Sequence, residues 1–205
     1  MSWIENRILP HLTHMVCSSF PIAQQRAKIV PLARGEVLEI GVGSGLNFPF
    51  YEKSKIEKIW ALEPSAGMRK LARANLEGRD LSVEFISLPG EQIPLEEDSV
   101  DTVLMTYSLC SISDPLAALA GMRRVLRPGG RLLFCEHGIS SDRSVRRWQN
   151  LLNPLWTRIS FGCNLNRDVL ETIRAGGFRI ETEHQMYIQG TKVLAYNYWG
   201  SAIAR

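Results

Sequence analysis

Residues 37–47 read VLEIGVGSGLN, and this stretch decides the fold. It begins as an apolar, β-branched run of the kind that forms a buried parallel strand. Three glycines follow within five positions, Gly41, Gly43 and Gly45, and Glu39 lies two residues before the first of them. A strand that ends in a glycine-rich turn predicts a loop where a ligand approaches the backbone closely.

The rest of the chain alternates strand-like segments with amphipathic helical ones. The predicted strands are EVLEI, IEKIWALEP, LSVEFISL, SVDTVLMTYSL, RLLFCEHG, FRIETEHQMYI and KVLAYNYWGSAIA. Ser65 and Asp114 are predicted helix N-caps, and the Pro-Gly-Gly after Arg127 is a predicted helix stop. This alternation predicts an α/β domain with helices on both faces of a mostly parallel sheet, and the last two strands are close enough to form a hairpin.

Composition narrows the classes of function. The net charge of +3 over 205 residues is too small to indicate nucleic-acid binding. The four cysteines form no CxxC pair and no zinc-type spacing with histidine, so we expect reduced thiols and no metal. No apolar run approaches the ~18 residues that span a bilayer, and the N-terminal residues do not resemble a signal peptide. We expect a cytoplasmic monomer or homodimer, with peripheral membrane contact left open.

The glycine spacing indicates which ligand the loop binds. A dinucleotide loop requires GxGxxG, but the sixth position here is Leu46, and no lysine follows for a P-loop. Glu39 would repel a pyrophosphate and tolerate a cation. Glu63 ends the second predicted strand, 22 positions after Gly41, where a carboxylate accepts hydrogen bonds from ribose hydroxyls. A ligand with a ribose, a positive charge and no phosphate is S-adenosylmethionine.

Four motifs over residues 35–138 resemble the class I S-adenosylmethionine-dependent methyltransferases, in the branch of the ubiquinone/menaquinone C-methyltransferases. They are LEIGVGSG, ALEPSAGMRKLA, GEQIPLEEDSVDTVLMTYSL and MRRVLRPGGRLLFCEH. The resemblance implies a Rossmann-like, seven-stranded sheet in the order 3-2-1-4-5-7-6. It divides a single domain into N-terminal helices that include a candidate lid (1–34), a cofactor core (35–138), acceptor-side helices (139–178) and closing strands (179–205).

The resemblance also implies roles for individual residues. The three glycines let the backbone approach the methionine part of the cofactor, Glu63 holds the ribose, and Pro64 and Met68 pack on the adenine. Many relatives carry an aspartate where this chain has Pro89, so adenine recognition is assigned to backbone groups farther along that turn. The other residues expected to contact the cofactor are Glu39, Asn47, Gly90, Glu91, Thr106 and Tyr107.

A further resemblance concerns the methyl acceptor. WQNLLNPLWTRISFGCNLNRD, with SLCSI and FCEH, is similar to animal methyltransferase-like proteins that S-methylate alkyl thiols. The favoured acceptor is therefore a small apolar thiol, whose thiolate needs no strong base. Quinols, phenols, natural products, phospholipid headgroups and binding without turnover remain alternatives. The predicted catalytic residues are His137, Glu136 and Tyr107, and the predicted substrate pocket contains Trp148, Trp156, Phe161 and Asn164.

Overall fold

Seven strands and six α-helices make up the computed structural model, which describes residues 9–160 and 162–205. The strands are β1 (Gly35–Ile40), β2 (Ile56–Leu62), β3 (Val83–Ile86), β4 (Val100–Thr106), β5 (Leu126–His137), β6 (Phe178–Tyr187) and β7 (Tyr196–Ala204). The helices are α1 (Leu9–Cys17), α2 (Phe20–Ile29), α3 (Ala66–Leu76), α4 (Pro115–Val125), α5 (Arg143–Ile159) and α6 (Val169–Ala175).

The strands form one sheet in the order β3-β2-β1-β4-β5-β7-β6, which confirms the predicted topology. β1 pairs in parallel with β2 on one side and β4 on the other. β7 runs antiparallel to both β5 and β6, so the last two strands form the expected hairpin. The strand order reverses between β1 and β4, and the carboxyl ends of these two strands flank the crevice where such folds bind ligands.

The alternation of side chains along β1 explains why both faces of the sheet are covered. Leu38 and Ile40 join an apolar cluster with residues of α4 and α6. Val37 faces the other way, into a cluster that includes Ile29 of α2 and Ala72 of α3. Successive strand residues point to opposite faces, so a continuous apolar run predicts a strand buried on both sides. The glycine loop thus begins from a rigid base.

The predicted N-caps are present, but one helix stop lies elsewhere. Ser65 and Asp114 accept hydrogen bonds from the backbone amides three residues ahead, at 3.3 and 3.0 Å. The Pro-Gly-Gly segment lies inside β5, because α4 ends at Val125 and Leu126 already pairs with Val100 of β4. Sheet pairing therefore begins before the residues that were expected to end the helix. Among the described residues, no helix combines the length and apolar character needed to cross a membrane.

Candidate active site

A cavity of about 280 Å³ opens at the carboxyl ends of β1, β2 and β4. Its lining residues are Ile40, Gly41, Leu62, Glu63, Pro64, Pro89, Gly90, Glu91, Ser108, Ser111, Ile112 and Ser113. Five of the twelve predicted cofactor residues are among them, and the other seven are not. Met68, one of those seven, lies in the first turn of α3, where its backbone N–H donates to Ser65. The cavity lies where the strand order reverses, as expected of a ligand site in this class of fold.

All three glycines of the loop adopt left-handed backbone conformations, with φ of +66°, +56° and +78° for Gly41, Gly43 and Gly45. A Cβ at Gly41 would lie 2.8 Å from the Ser108 side chain, and one at Gly45 would lie 2.5 Å from the Phe48 ring. These two positions need glycine for packing as well as for φ. A Cβ at Gly43 meets nothing closer than 3.9 Å, so that side of the loop is open.

Glu63 links the end of β2 to the glycine loop. Its Oε2 accepts a hydrogen bond from the Gly43 backbone N–H at 3.1 Å, and its Oε1 accepts one from the Ser65 N–H at 2.9 Å. Burial raises the pKa of Glu63, and these two backbone hydrogen bonds oppose the rise. A carboxylate has about four lone-pair positions, so two remain for hydroxyl donors in the cavity. This geometry fits the predicted contact with ribose hydroxyls.

Glu39 lies beneath the loop and not at its mouth. The side chain is 1% exposed, and its two oxygens accept hydrogen bonds from Asn47 Nδ2 at 2.8 Å and from the Tyr51 hydroxyl at 2.7 Å. Burial raises the pKa of Glu39 to about 7, while the Tyr51 and Asn47 hydrogen bonds lower it. The carboxylate therefore holds the Asn47 and Tyr51 side chains in place. It influences a cationic ligand through Asn47 or through its charge acting at a distance.

Arg26 of α2 is a buried cation that no local sequence pattern singles out. Its Nη1 donates to Asn47 Oδ1 at 2.8 Å and to Thr106 Oγ1 at 2.7 Å. Its guanidinium lies 5.1 Å from the centroid of the Tyr107 ring, and its Nε has no hydrogen-bond partner among the described residues. An arginine in the segment QQRAKIV usually lies on a solvated helix face, and only tertiary packing brings this one to the loop.

α1 contacts the glycine loop through one side chain. His14 Nδ1 lies 2.8 Å from Ser44 Oγ, and the Ser44 carbonyl accepts a hydrogen bond from the Asn75 side chain of α3. The loop is therefore held between an N-terminal helix and the helix that follows β2. Residues 1–8, which belong to the predicted N-terminal helices, lie outside the described part of the chain.

Tyr107 directly follows β4 with φ of +54°, a conformation that non-glycine residues adopt rarely and that often marks a functional site. Its hydroxyl donates to Asn197 Oδ1 at 2.5 Å, and burial raises its pKa well above its usual value. These features favour a positioning role over proton transfer.

Glu91, which was predicted to lie near the adenine, has its Oε1 occupied, because that oxygen accepts hydrogen bonds from the backbone N–H groups of Ser113 and Asp114, both at 3.1 Å.

Glu136, a predicted catalytic residue near the end of β5, is fully buried. Its Oε1 accepts hydrogen bonds from the backbone N–H groups of Ser108 and Leu109 at 2.9 and 3.1 Å. Its Oε2 has no partner among the described residues. Burial raises the pKa of Glu136 to about 7, and the two backbone hydrogen bonds limit this rise because they lower the pKa. The carboxylate fixes the turn after β4 and does not reach the protein surface.

His137 lies beside two thiols that are distant from it in the sequence. Its Nε2 is 3.2 Å from Cys163 Sγ, and the ligating atoms of Cys110, His137 and Cys163 all lie within 4.8 Å of one another. The nearby Cys110 thiol lowers the pKa of Cys163, and His137 lowers it further. Burial lowers the pKa of His137, but the adjacent Cys163 outweighs it and the net shift is upward.

The predicted substrate pocket is only partly assembled. Trp148 of α5 is 57% exposed and is not among the residues that line the cavity, so its place in a substrate pocket stays a prediction. Trp156 points inward, since its indole nitrogen is buried and has no hydrogen-bond partner among the described residues. The Asn164 amide donates to the carbonyl oxygens of Cys110 and Gly162, each at 2.9 Å. Phe161 lies outside the described residues.

Comparison with known proteins identifies the class. A family described as "Methyltransferase domain" matches residues 38–134. A chain from the complex between the Haloferax volcanii Trm112 methyltransferase activator and a methyltransferase superposes with a TM-score of 0.72. The superposition covers 98% of this chain and 96% of the other at 18% identity, and it shows the fold alone. The chain therefore carries a class I S-adenosylmethionine-dependent methyltransferase domain, and the open Gly43 and the free lone pairs of Glu63 fit that cofactor.

Two curated relatives bear on the acceptor. Thiol S-methyltransferase TMT1B of Homo sapiens is 38% identical over 160 residues, which cover 75% of this chain and 65% of that protein. Demethylmenaquinone methyltransferase of Clavibacter sepedonicus is 32% identical over 130 residues, covering 63% of this chain and 52% of that protein. The chain thus spans between about half and two thirds of the length of these two relatives.

Proposed function

We propose that the chain methylates the sulfur of a small thiol with an apolar body. The observation that carries this proposal is the length of the likeness to thiol S-methyltransferase TMT1B. That likeness extends over 160 residues, whereas the methyltransferase family match covers only residues 38–134. It therefore continues into segments outside the cofactor core, and acceptor specificity resides in such segments and not in the fold.

The cofactor would bind across the glycine loop, with its ribose hydroxyls donating to Glu63. Arg26 is the residue that we assign to the carboxylate of the methionine part, because its guanidinium is buried beside Asn47 and Thr106 and keeps an unused Nε–H. A charge-assisted hydrogen bond of this kind contributes about 1.5–3 kcal/mol. When bound, the cofactor supplies an electrophilic methyl group on a sulfonium.

The main tasks of the chain in this reaction are alignment and exclusion of water. We assign Tyr107 to the wall of the methyl-transfer site, because its strained backbone and the hydrogen bond to Asn197 fix the ring. Glu136 is assigned a positioning role, since its Oε1 holds the backbone of Ser108 and Leu109. No strong base is required, because a thiol with an ordinary pKa of ~8.5 supplies a useful fraction of thiolate near neutral pH.

Carbon methylation of a quinol is the second candidate, and the 32% identity to demethylmenaquinone methyltransferase over 130 residues favours it. Such a reaction requires a base that removes a proton from a weakly acidic acceptor. His137 is the titratable side chain available for that step at the end of β5. Binding of the cofactor without turnover is the remaining alternative.

A panel of acceptors separates these proposals. The full chain is incubated with S-adenosylmethionine and an alkyl thiol, a phenol, a quinol or an amine, and products are identified by mass spectrometry. We expect a methyl thioether from the thiol alone. A methylated quinol without thioether would assign the second candidate, and cofactor binding without any methylated product would support a binding protein. The Gly43→Val variant, whose side chain enters the open side of the loop, is the background control.

A further inference from the structure

Three side chains that bind soft metal ions converge at the acceptor side of the domain. Cys110 lies in the short helical turn after β4, His137 ends β5, and Cys163 follows α5. Their ligating atoms lie within 4.8 Å of one another, and the Cys163 sulfur is 3.2 Å from His137 Nε2. Tetrahedral zinc with Zn–S of about 2.3 Å and Zn–N of about 2.0 Å places neighbouring ligand atoms about 3.5–3.8 Å apart. Small side-chain rotations therefore bring the cluster to that geometry.

The donor set points to one kind of metal site. Two thiolates and one imidazole form the Cys₂His set of zinc sites with catalytic function, whereas structural sites are closed by a fourth protein ligand. Thiolate donors exclude magnesium and calcium, which prefer oxygen. Cys110 is buried, whereas His137 and Cys163 are each only partly buried. A set of three protein ligands leaves the fourth position of tetrahedral zinc to a water molecule or a substrate.

Surrounding residues hold the two segments that carry the cysteines. The Asn164 backbone N–H and side-chain amide both donate to the Cys110 carbonyl oxygen at 2.9 Å. Arg167 Nη1 donates to the carbonyl oxygens of Leu109 and Ile112, at 2.7 and 3.0 Å, on either side of that turn. Such outer contacts orient metal ligands and are costly to remove.

The cluster adjoins the cofactor cavity along the chain. Ser108 and Ser111, which flank Cys110, both line that cavity. A substrate held at the cluster would therefore lie on the acceptor side of the bound methyl donor. Zinc lowers the pKa of a bound acidic group and converts it into a nucleophile at neutral pH.

We propose that Cys110, His137 and Cys163 bind one zinc ion, and that the acceptor thiolate is its fourth ligand. This inference rests on the proposed thiol S-methylation, and it adds how the acceptor thiol is activated. The acceptor thiol loses its proton to solvent when its sulfur binds zinc. A lone pair of that sulfur then forms the bond to the methyl carbon, while the bond between the methyl carbon and the sulfonium sulfur breaks. S-adenosylhomocysteine and a neutral methyl thioether leave, and the thioether is a weaker zinc ligand than the thiolate.

Metal binding is tested apart from activity. The full chain is purified under reducing conditions, equilibrated with zinc, and analysed for metal content and for affinity by competition with a chromophoric chelator. Substitution with cobalt gives a second readout, the thiolate-to-cobalt charge-transfer absorption. We expect one zinc per chain. Cys163→Ser and His137→Gln should weaken zinc binding by more than the about 10–100-fold that loss of an outer hydrogen bond costs.

The chain offers matched controls for both substitutions. Cys135→Ser changes a buried cysteine of β5 that is not one of the three clustered side chains, and His184→Gln changes an exposed histidine of β6, so both should retain zinc. Absence of bound zinc in the folded, reduced chain would overturn the inference, as would zinc binding that Cys163→Ser leaves unchanged. Thiol methylation that persists without zinc would refute the metal step and keep the proposed function. Zinc binding without methylation of any thiol would refute the proposed function and the role of zinc in it.

Discussion

Arg26 Nη1 donates a hydrogen bond of 2.7 Å to Thr106 Oγ1, and this contact joins α2 to the end of β4 beneath the glycine loop. We predict that Arg26→Met weakens binding of S-adenosylmethionine at least about tenfold, because it removes the cation assigned to the cofactor carboxylate. Isothermal titration calorimetry measures the dissociation constant. Lys28→Met, which removes an exposed positive charge from the same helix, should change it less than about twofold. Equal affinities for Arg26→Met and the unmodified chain would refute the assignment.

Glu63 is predicted to carry most of the ribose recognition. Glu63→Ala should weaken cofactor binding by about 1.5–3 kcal/mol, or roughly 10–100-fold, because two hydrogen bonds to a charged acceptor are lost and water replaces them in part. Glu84→Ala is the matched control, since Glu84 lies on β3 and pairs with Lys58 outside the cavity. Circular dichroism establishes that both variants fold. An unaltered dissociation constant in Glu63→Ala would show that the ribose binds elsewhere.

Local sequence signals were sufficient to locate the strands and one carboxylate of the candidate site. The period of the apolar residues and the glycine turns located the strands, since both depend on neighbours in the chain. The spacing from Gly41 to Glu63 identified the carboxylate whose oxygen now accepts the Gly43 N–H. The strand order itself came from resemblance to a family and not from residue spacing.

The remaining site residues depend on tertiary packing that no local pattern encodes. Arg26 resembles a surface cation until α2 packs over the loop. Cys110 and Cys163 match no zinc spacing, because they belong to separate turns that Asn164 brings together. The helical spacing of the apolar residues around Trp148 marks an apolar face of α5 without showing what covers it.

Gly43 is predicted to be needed for ligand binding more than for stability. Gly43→Ala should cost about 1–2 kcal/mol of folding free energy because of its left-handed φ, and it should weaken cofactor binding by more than tenfold, or about 1.4 kcal/mol. Gly78→Ala is the matched control for Gly43→Ala, since Gly78 has a φ of +74° and a Cβ there meets nothing within 4 Å. Chemical denaturation should give similar losses for both variants, and only Gly43→Ala should lose affinity. If Gly43→Ala binds the cofactor with full affinity, the cofactor does not lie against the open side of Gly43.

Glu39 is predicted to make the cofactor-free chain less stable as the pH rises. Burial raises its pKa to about 7 from an ordinary value of 4.5, so between these values the folded chain retains a proton that the unfolded chain releases. The free energy of unfolding then decreases as pH increases, with the contribution complete below about pH 4.5 and lost through about pH 7, by on the order of 3 kcal/mol. The groups that face the carboxylate are Tyr51, Asn47 and the Arg26 cation, and the hydrogen bonds and charge of these residues limit the rise. Glu39→Gln keeps an acceptor for the Tyr51 hydroxyl and cannot ionise, so its stability should decline less steeply with pH. Urea denaturation from pH 5 to 8 measures both slopes, and parallel slopes would show that Glu39 does not titrate in this range.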